Sequence, residues 1–146
     1  MKKFCNHCGR LYEDKCSCRK DTKREYTRNN FYDTNGWKSC SRFVRMRDFN
    51  MDRLQLYFQK CKPTNRIERR LYDFLIDVNG VPRQLDGRLM VHHIKEIEKS
   101  WNERYNIDNL ITLEHHTHEY VHQLYENGER EVVQELLQKA VNESLP

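Results

Sequence analysis

The sequence predicts an α+β fold, on three observations. Apolar residues recur at helical spacing in several stretches. Two short β-branched runs lie close together, with a helical segment after the second. Two tight cysteine pairs stand near the N-terminus. At 146 residues the chain supports one modest domain plus an appendage.

The appendage comes first. Cys5 and Cys8, seven residues, then Cys16 and Cys18 suit a tetrahedral site of four thiolates, and Gly9 follows the first pair as in a knuckle. His7 could replace a thiolate, and a disulfide pair or free thiols are the plain alternatives. The charge of Met1-Lys2-Lys3 is not followed by an apolar stretch, so no signal peptide is read and a reducing cytoplasm is expected. Such clusters there bind metal more often than they form disulfides. The expectation is a knuckle over residues 1–18 with one structural zinc. Cys40 and Cys61 are singletons, read as buried small residues. Residues 19–30, with five basic and two acidic side chains, read as a basic linker or frayed helix, either lying along DNA or merely solvated.

Trp37, Cys40, Phe43, Val44 and Met46 fall near helical spacing, predicting a helix over 34–48 whose other face bears Lys38, Arg42, Arg45 and Arg47. Leu54, Leu56, Tyr57 and Phe58 form a second apolar cluster, closed by Lys62-Pro63. Ile67, Leu71, Phe74 and Leu75 predict another helix, capped by Thr64 or Asn65. Asn79-Gly80 marks a turn. Residues 88–94 read as a strand, 95–108 as a loop, 109–113 as a second strand and 115–126 as a helix that Asn127-Gly128 stops. Val132, Val133, Leu136, Leu137 and Val141 predict a final amphipathic helix over 128–142.

Six of the seven histidines fall within 31 residues: His92-His93, then, past Asn109, His115, His116, His118 and His122. Successive strand side chains point to opposite faces, so His92 and His93 should not both reach one ion. His118 and His122, four apart, share one helix face. Two strands and a helix can therefore gather His92, His118 and His122 around one cation. The bland alternative is a surface or satisfied core pair at i, i+4. His115 and His116 read as exposed helix-start residues.

These residues resemble the HNH, or His-Me finger, endonucleases with a ββα-metal core. His92-His93 matches the first histidine element, Asn109 the middle asparagine and His118 the last histidine; His122 matches the further ligand of colicin-type nuclease toxins. Phe31-Tyr32, Trp37, Arg47-Asp48, Val91 to Ile94 and Asp108 to Leu113 also resemble small phage HNH proteins. The resemblance spans roughly 30 to 125, so residues 31–146 are read as the nuclease domain with its core at 88–126. It implies a catalytic divalent ion (zinc, nickel, cobalt, manganese or magnesium) on His92, His118 and His122. His93 would act as the general base, and Asn109 would orient the strand that carries it. Imidazole donors suit the transition metals better than magnesium. One departure stands out. Many phage relatives carry two Cys-x-x-Cys pairs inside this domain, whereas here Glu114 and Thr117 hold one set of places and residues 51–54 offer no cysteine. No structural zinc is expected beside the site, and packing of 51–76 should substitute for it.

Charge gives the setting. A mean hydropathy of −1.02 and the lack of any apolar run near twenty residues exclude a membrane span. Residues 1–70 carry 19 Lys and Arg against 8 acids, a balance of +11, while 71–146 carry 7 against 14. The basic half should meet a phosphate backbone, with its Arg42 and Arg45, and Lys95 from the other half, at double-stranded DNA. The acidic C-terminal helix should face solvent or a protein. Three functions compete: a metal-dependent endonuclease, a non-catalytic zinc-stabilised DNA-binding module, and a module that docks on phage terminase, the last link being implied by the resemblance.

Overall fold

A computed structural model describes residues 2–5, 8–18 and 31–144. The linker at 19–30 and His7 as a substitute ligand lie outside the described residues. The chain is α+β, with two small antiparallel sheets and five α-helices among the described residues.

β1 (Lys3–Phe4) pairs with β2 (Leu11–Tyr12) to form the N-terminal hairpin. Helix α1 (Asn35–Arg47) starts where the Thr34 hydroxyl accepts the Trp37 N–H at 3.1 Å and donates to the Phe31 carbonyl at 2.7 Å. It ends in a Schellman motif: the Asn50 N–H reaches the Arg45 carbonyl at 2.7 Å and the Phe49 N–H the Met46 carbonyl at 3.1 Å. The second apolar cluster is helix α2 (Arg53–Lys60), capped by Asp52, and α3 (Arg66–Leu75) follows. Asn65, not Thr64, caps α3 by accepting the Glu68 N–H.

β3 (Leu89–His93) and β4 (Leu110–Glu114) pair antiparallel, with Leu89 opposite Glu114 and His93 opposite Leu110. Asn109 was expected to open the second strand; it instead closes a 3₁₀ turn just before β4. Helix α4 (His115–Leu124) leads through a kinked turn, where Gly128 has φ 87°, into α5 (Arg130–Asn142). The kink takes up residues 125–129, so both helices are shorter than the sequence predicts.

All five residues of β4 are buried because helices cover both faces of the hairpin. Ile111 and Leu113 join the larger core with α2, α3, α4 and α5, while Leu110 joins a second core with Phe31, Trp37, Cys40 and Val44. That alternation is the period-two geometry of a strand, and it sends His92 and His93 to different neighbours. Phe4 from the N-terminal hairpin packs in the second core as well.

Arg47 does not lie on an open basic face. Its guanidinium bonds Asp48 and reaches the carbonyls of Ile107 and Leu110, each at 2.7 Å. Buried Asp48 also accepts Arg53 Nη1 at 2.7 Å and the Thr112 N–H at 2.9 Å. Arg53 in turn donates to the carbonyls of Ala140, Val141 and Glu143, holding the end of α5. Two of the cations of the basic half are thus internal fasteners. Where the cysteine pairs of the resemblance are missing, Asp52 Oδ2 accepts the Glu114 N–H at 2.8 Å, beside buried Thr117. The start of α2 is joined to the end of β4 by a carboxylate.

Candidate metal centre and active site

His92 on β3 faces α4, where His118 and His122 stand one turn apart. Their ring centroids lie 5.2 and 5.1 Å from that of His92, and one ligating atom from each of the three lies within 4.8 Å of the others. The Nε2 atoms of His118 and His122 are 3.1 Å apart. Nitrogens around a tetrahedral cation with bonds of about 2.0–2.1 Å would stand roughly 3.3 Å apart, so this spacing fits a shared ion.

The protonation states fit too. Burial, then the neighbouring imidazoles, hold His92 well below its ordinary value. Burial and His122 take His118 down to about 4. These two rings are therefore neutral at pH 7, with lone pairs available to a metal.

Tyr125 fixes which nitrogen of His92 is free. Its hydroxyl donates to the Ile94 carbonyl at 2.9 Å and stands 3.3 Å from His92 Nε2. Having spent its hydrogen on a carbonyl, Oη can only accept from His92, so Nε2 carries the proton and Nδ1 is left to ligate. Gln134 of α5 donates to the same Ile94 carbonyl at 3.0 Å. Sequence reasoning missed Tyr125, although it continues the α4 face of His118 and His122 at i+7 and i+3.

His93 points the other way, into the second core. It stacks on Trp37 with centroids 5.0 Å apart and planes 20° apart, and its Nε2 lies 3.2 Å from the Arg104 carbonyl. A carbonyl only accepts, so Nε2–H is fixed there and Nδ1 keeps its lone pair. Burial lowers the His93 pKa, against the carbonyl bond and Glu98, which pull it up. Arg104 is held by its own ring contact, 4.6 Å over Trp101. Trp37 and the Arg104 carbonyl were not assigned to the site from sequence.

Asn109 clamps the turn that follows His93. Its Oδ1 accepts the Lys95 N–H at 2.8 Å, and its Nδ2 donates to the Lys95 carbonyl at 3.1 Å. The four histidines open onto one cavity of about 240 Å³, with Tyr32 and Glu98 at its edge.

The other site residues are spread more widely. Arg42 and Arg45 line a separate groove, and Lys95 is exposed elsewhere. His116 is exposed and bonds Glu114 at 2.7 Å, while His115 pairs with Glu119. In the N-terminal hairpin, Cys5 and Cys18 Sγ are 3.6 Å apart, Cys8 and Cys16 Sγ 3.5 Å, and all four lie within 4.8 Å of one another. Those are not S–S bond lengths; they approach the roughly 3.8 Å between sulfurs on a zinc with 2.3 Å bonds. The cluster can hold a structural metal such as zinc. Hydrogen bonding to Cys16, then burial, pushes the Cys18 thiol up to about 12, which a bound cation would reverse. Gly9 has φ +74°, and a Cβ there would meet Ser39 Oγ at 2.3 Å, so the knuckle sits directly on α1.

Among the described residues no helix is long and apolar enough to cross a membrane. Comparisons with protein-family models, curated proteins and solved structures found no match for this chain.

Proposed function

We propose that this protein is a metal-dependent endonuclease of the HNH type that hydrolyses phosphodiester bonds in DNA, with β3, β4 and α4 as its ββα-metal core. One observation carries the reading: three imidazoles converge on one point while a fourth, on the next residue, opens to the same cavity with its own free nitrogen. A core histidine pair needs neither arrangement.

His92, His118 and His122 would hold the ion. When bound, it supplies Lewis-acid stabilisation of charge on a phosphate oxygen and on the leaving 3′ oxygen. His93 Nδ1 takes the proton of the attacking water. Trp37 and the Arg104 carbonyl hold that ring in one orientation and one tautomer. Asn109 keeps the turn beyond His93 from drifting, and Tyr125 aims His92. Burial keeps His93 neutral at pH 7, as a base must be.

Plasmid nicking with added Mn²⁺, Ni²⁺ or Mg²⁺, paired with elemental analysis, tests this. Wild type should bind two ions per chain and nick. His93→Ala should keep both ions and lose roughly 10²- to 10⁴-fold in rate. His118→Ala should keep only the knuckle ion. A wild type inert with every ion, or a His93→Ala variant as active as wild type, overturns the reading.

A further inference from the structure

We infer a second nucleic-acid contact, resting on the reading above: the groove of Arg42, Arg45 and Arg88 grips the backbone of the DNA strand, and Phe49, next in the chain to Asn50 of that groove, stacks on a base. The groove, of about 390 Å³, is lined by these three arginines with Met46, Asn50 and Leu89. Arg47 and Arg53 are consumed by Asp48. By contrast, the guanidinium groups of Arg42, Arg45 and Arg88 make no ion pair or hydrogen bond among the described residues. Three uncompensated cations in one groove are complementary to a polyanion.

The second observation is independent of charge. Phe49 occupies the left-handed position of the Schellman motif with φ 59°, where glycine is the usual residue and a bulky side chain is strained. It is also 56% exposed, beside Met46 at 65%. A strained, solvent-facing aromatic lowers stability and fills no core, which points to a role outside the fold. Phe49 is the chain neighbour of Asn50, which lines the groove with the unpaired arginines, and an exposed ring together with such cations is the combination that holds a nucleic-acid strand, phosphates on the cations and a base on the ring.

The placement agrees with the cavity. β3 runs from Leu89 at the groove to His93 at the cavity, about 13 Å at strand rise, or roughly four nucleotides of B-form rise. One strand could therefore meet both.

The test uses the full chain in a His93→Ala background, so that DNA stays intact, with a fluorescein-labelled 20-mer as duplex and as single strand. Phe49→Gly should raise Tm by about 2–4 °C while weakening DNA about 5- to 100-fold. A residue that merely supports the fold would lower both. Arg42→Ala/Arg45→Ala should weaken DNA and flatten the log–log salt dependence by about 1.4 to 1.8. Unchanged DNA affinity in both variants overturns the inference. So does lost binding to phosphatidylserine vesicles with DNA affinity intact, which would make the patch a lipid surface. Variants that lose DNA while wild type fails to nick leave this contact standing and sink the nuclease reading; the reverse pattern sinks this contact alone.

Discussion

Tyr125→Phe removes one oxygen and nothing else from the wall of the candidate metal centre. His92 is 3% exposed, so water cannot replace that oxygen as the acceptor of its Nε2–H. A buried donor left unpaired costs about 1–3 kcal/mol. The Ile94 carbonyl is spared, because Gln134 still donates to it. Stability should therefore fall by about 1–3 kcal/mol, a Tm loss of about 2–4 °C for each kcal/mol in a chain of this length. The larger effect concerns the ion. With no partner on Nε2, the His92 ring is free to change tautomer and tilt, and loss of such a supporting bond weakens a metal site about 10- to 100-fold. Competition with a chromophoric chelator measures the site occupied by His92, His118 and His122, with the knuckle as internal control. The affinity should drop at the first and hold at the second. Unchanged affinity at both, in a variant that has lost stability, would refute the tautomer argument and leave Tyr125 as packing alone.

Two further predictions follow from buried charge. Without the ion, stability should fall as pH drops below about 6.5. His92, His93 and His118 are all depressed in the folded chain, so the unfolded chain binds more protons there, and the stability present above 6.5 is lost as pH falls. Two groups act in the opposite sense, Asp52, raised to about 6 mainly by burial, and His116, raised by its bond to Glu114, but His116 is exposed and they stand against three buried or half-buried rings. Urea titrations at pH 7.5 and 5.5 should show the lower midpoint at 5.5; equal midpoints would contradict the protonation states assigned. Asp48→Asn should cost about 3–5 kcal/mol, because it leaves two largely buried guanidinium groups without their carboxylate. Denaturant unfolding with a loss under about 1 kcal/mol would show that the carbonyl partners of Arg47 and Arg53 suffice.

What could be read in the sequence was what local spacing encodes. The helical stripe from Trp37 to Met46, the cap of α3 at Thr64 or Asn65 and the pair His118 and His122 depend on neighbours within a turn or two. The opposite facing of His92 and His93 follows from strand period alone. Long-range partners were hidden. Arg47 looks like one more surface cation in a basic stretch until Leu110, 63 positions away, supplies its carbonyl. Phe4 reads as part of a separate knuckle until it meets Val44 and Tyr105 in a common core. Tyr125 sits at a readable position, but its meaning depends on the Ile94 carbonyl, which no periodicity reveals. Phe49 could be found only from its backbone angle.

The docking of Phe4 ties the cysteine cluster to the rest of the fold. Phe4 precedes Cys5, and it shares its pocket with Phe31 and Trp37, against which the His93 ring lies. If the four cysteines hold an ion, its removal would loosen that phenyl ring and, through two aromatic neighbours, the shelf beneath the imidazole proposed to deprotonate water. The cysteines are then less a detachable handle than a cornerstone, and oxidation of their sulfurs would be felt at the far end of the wall they support.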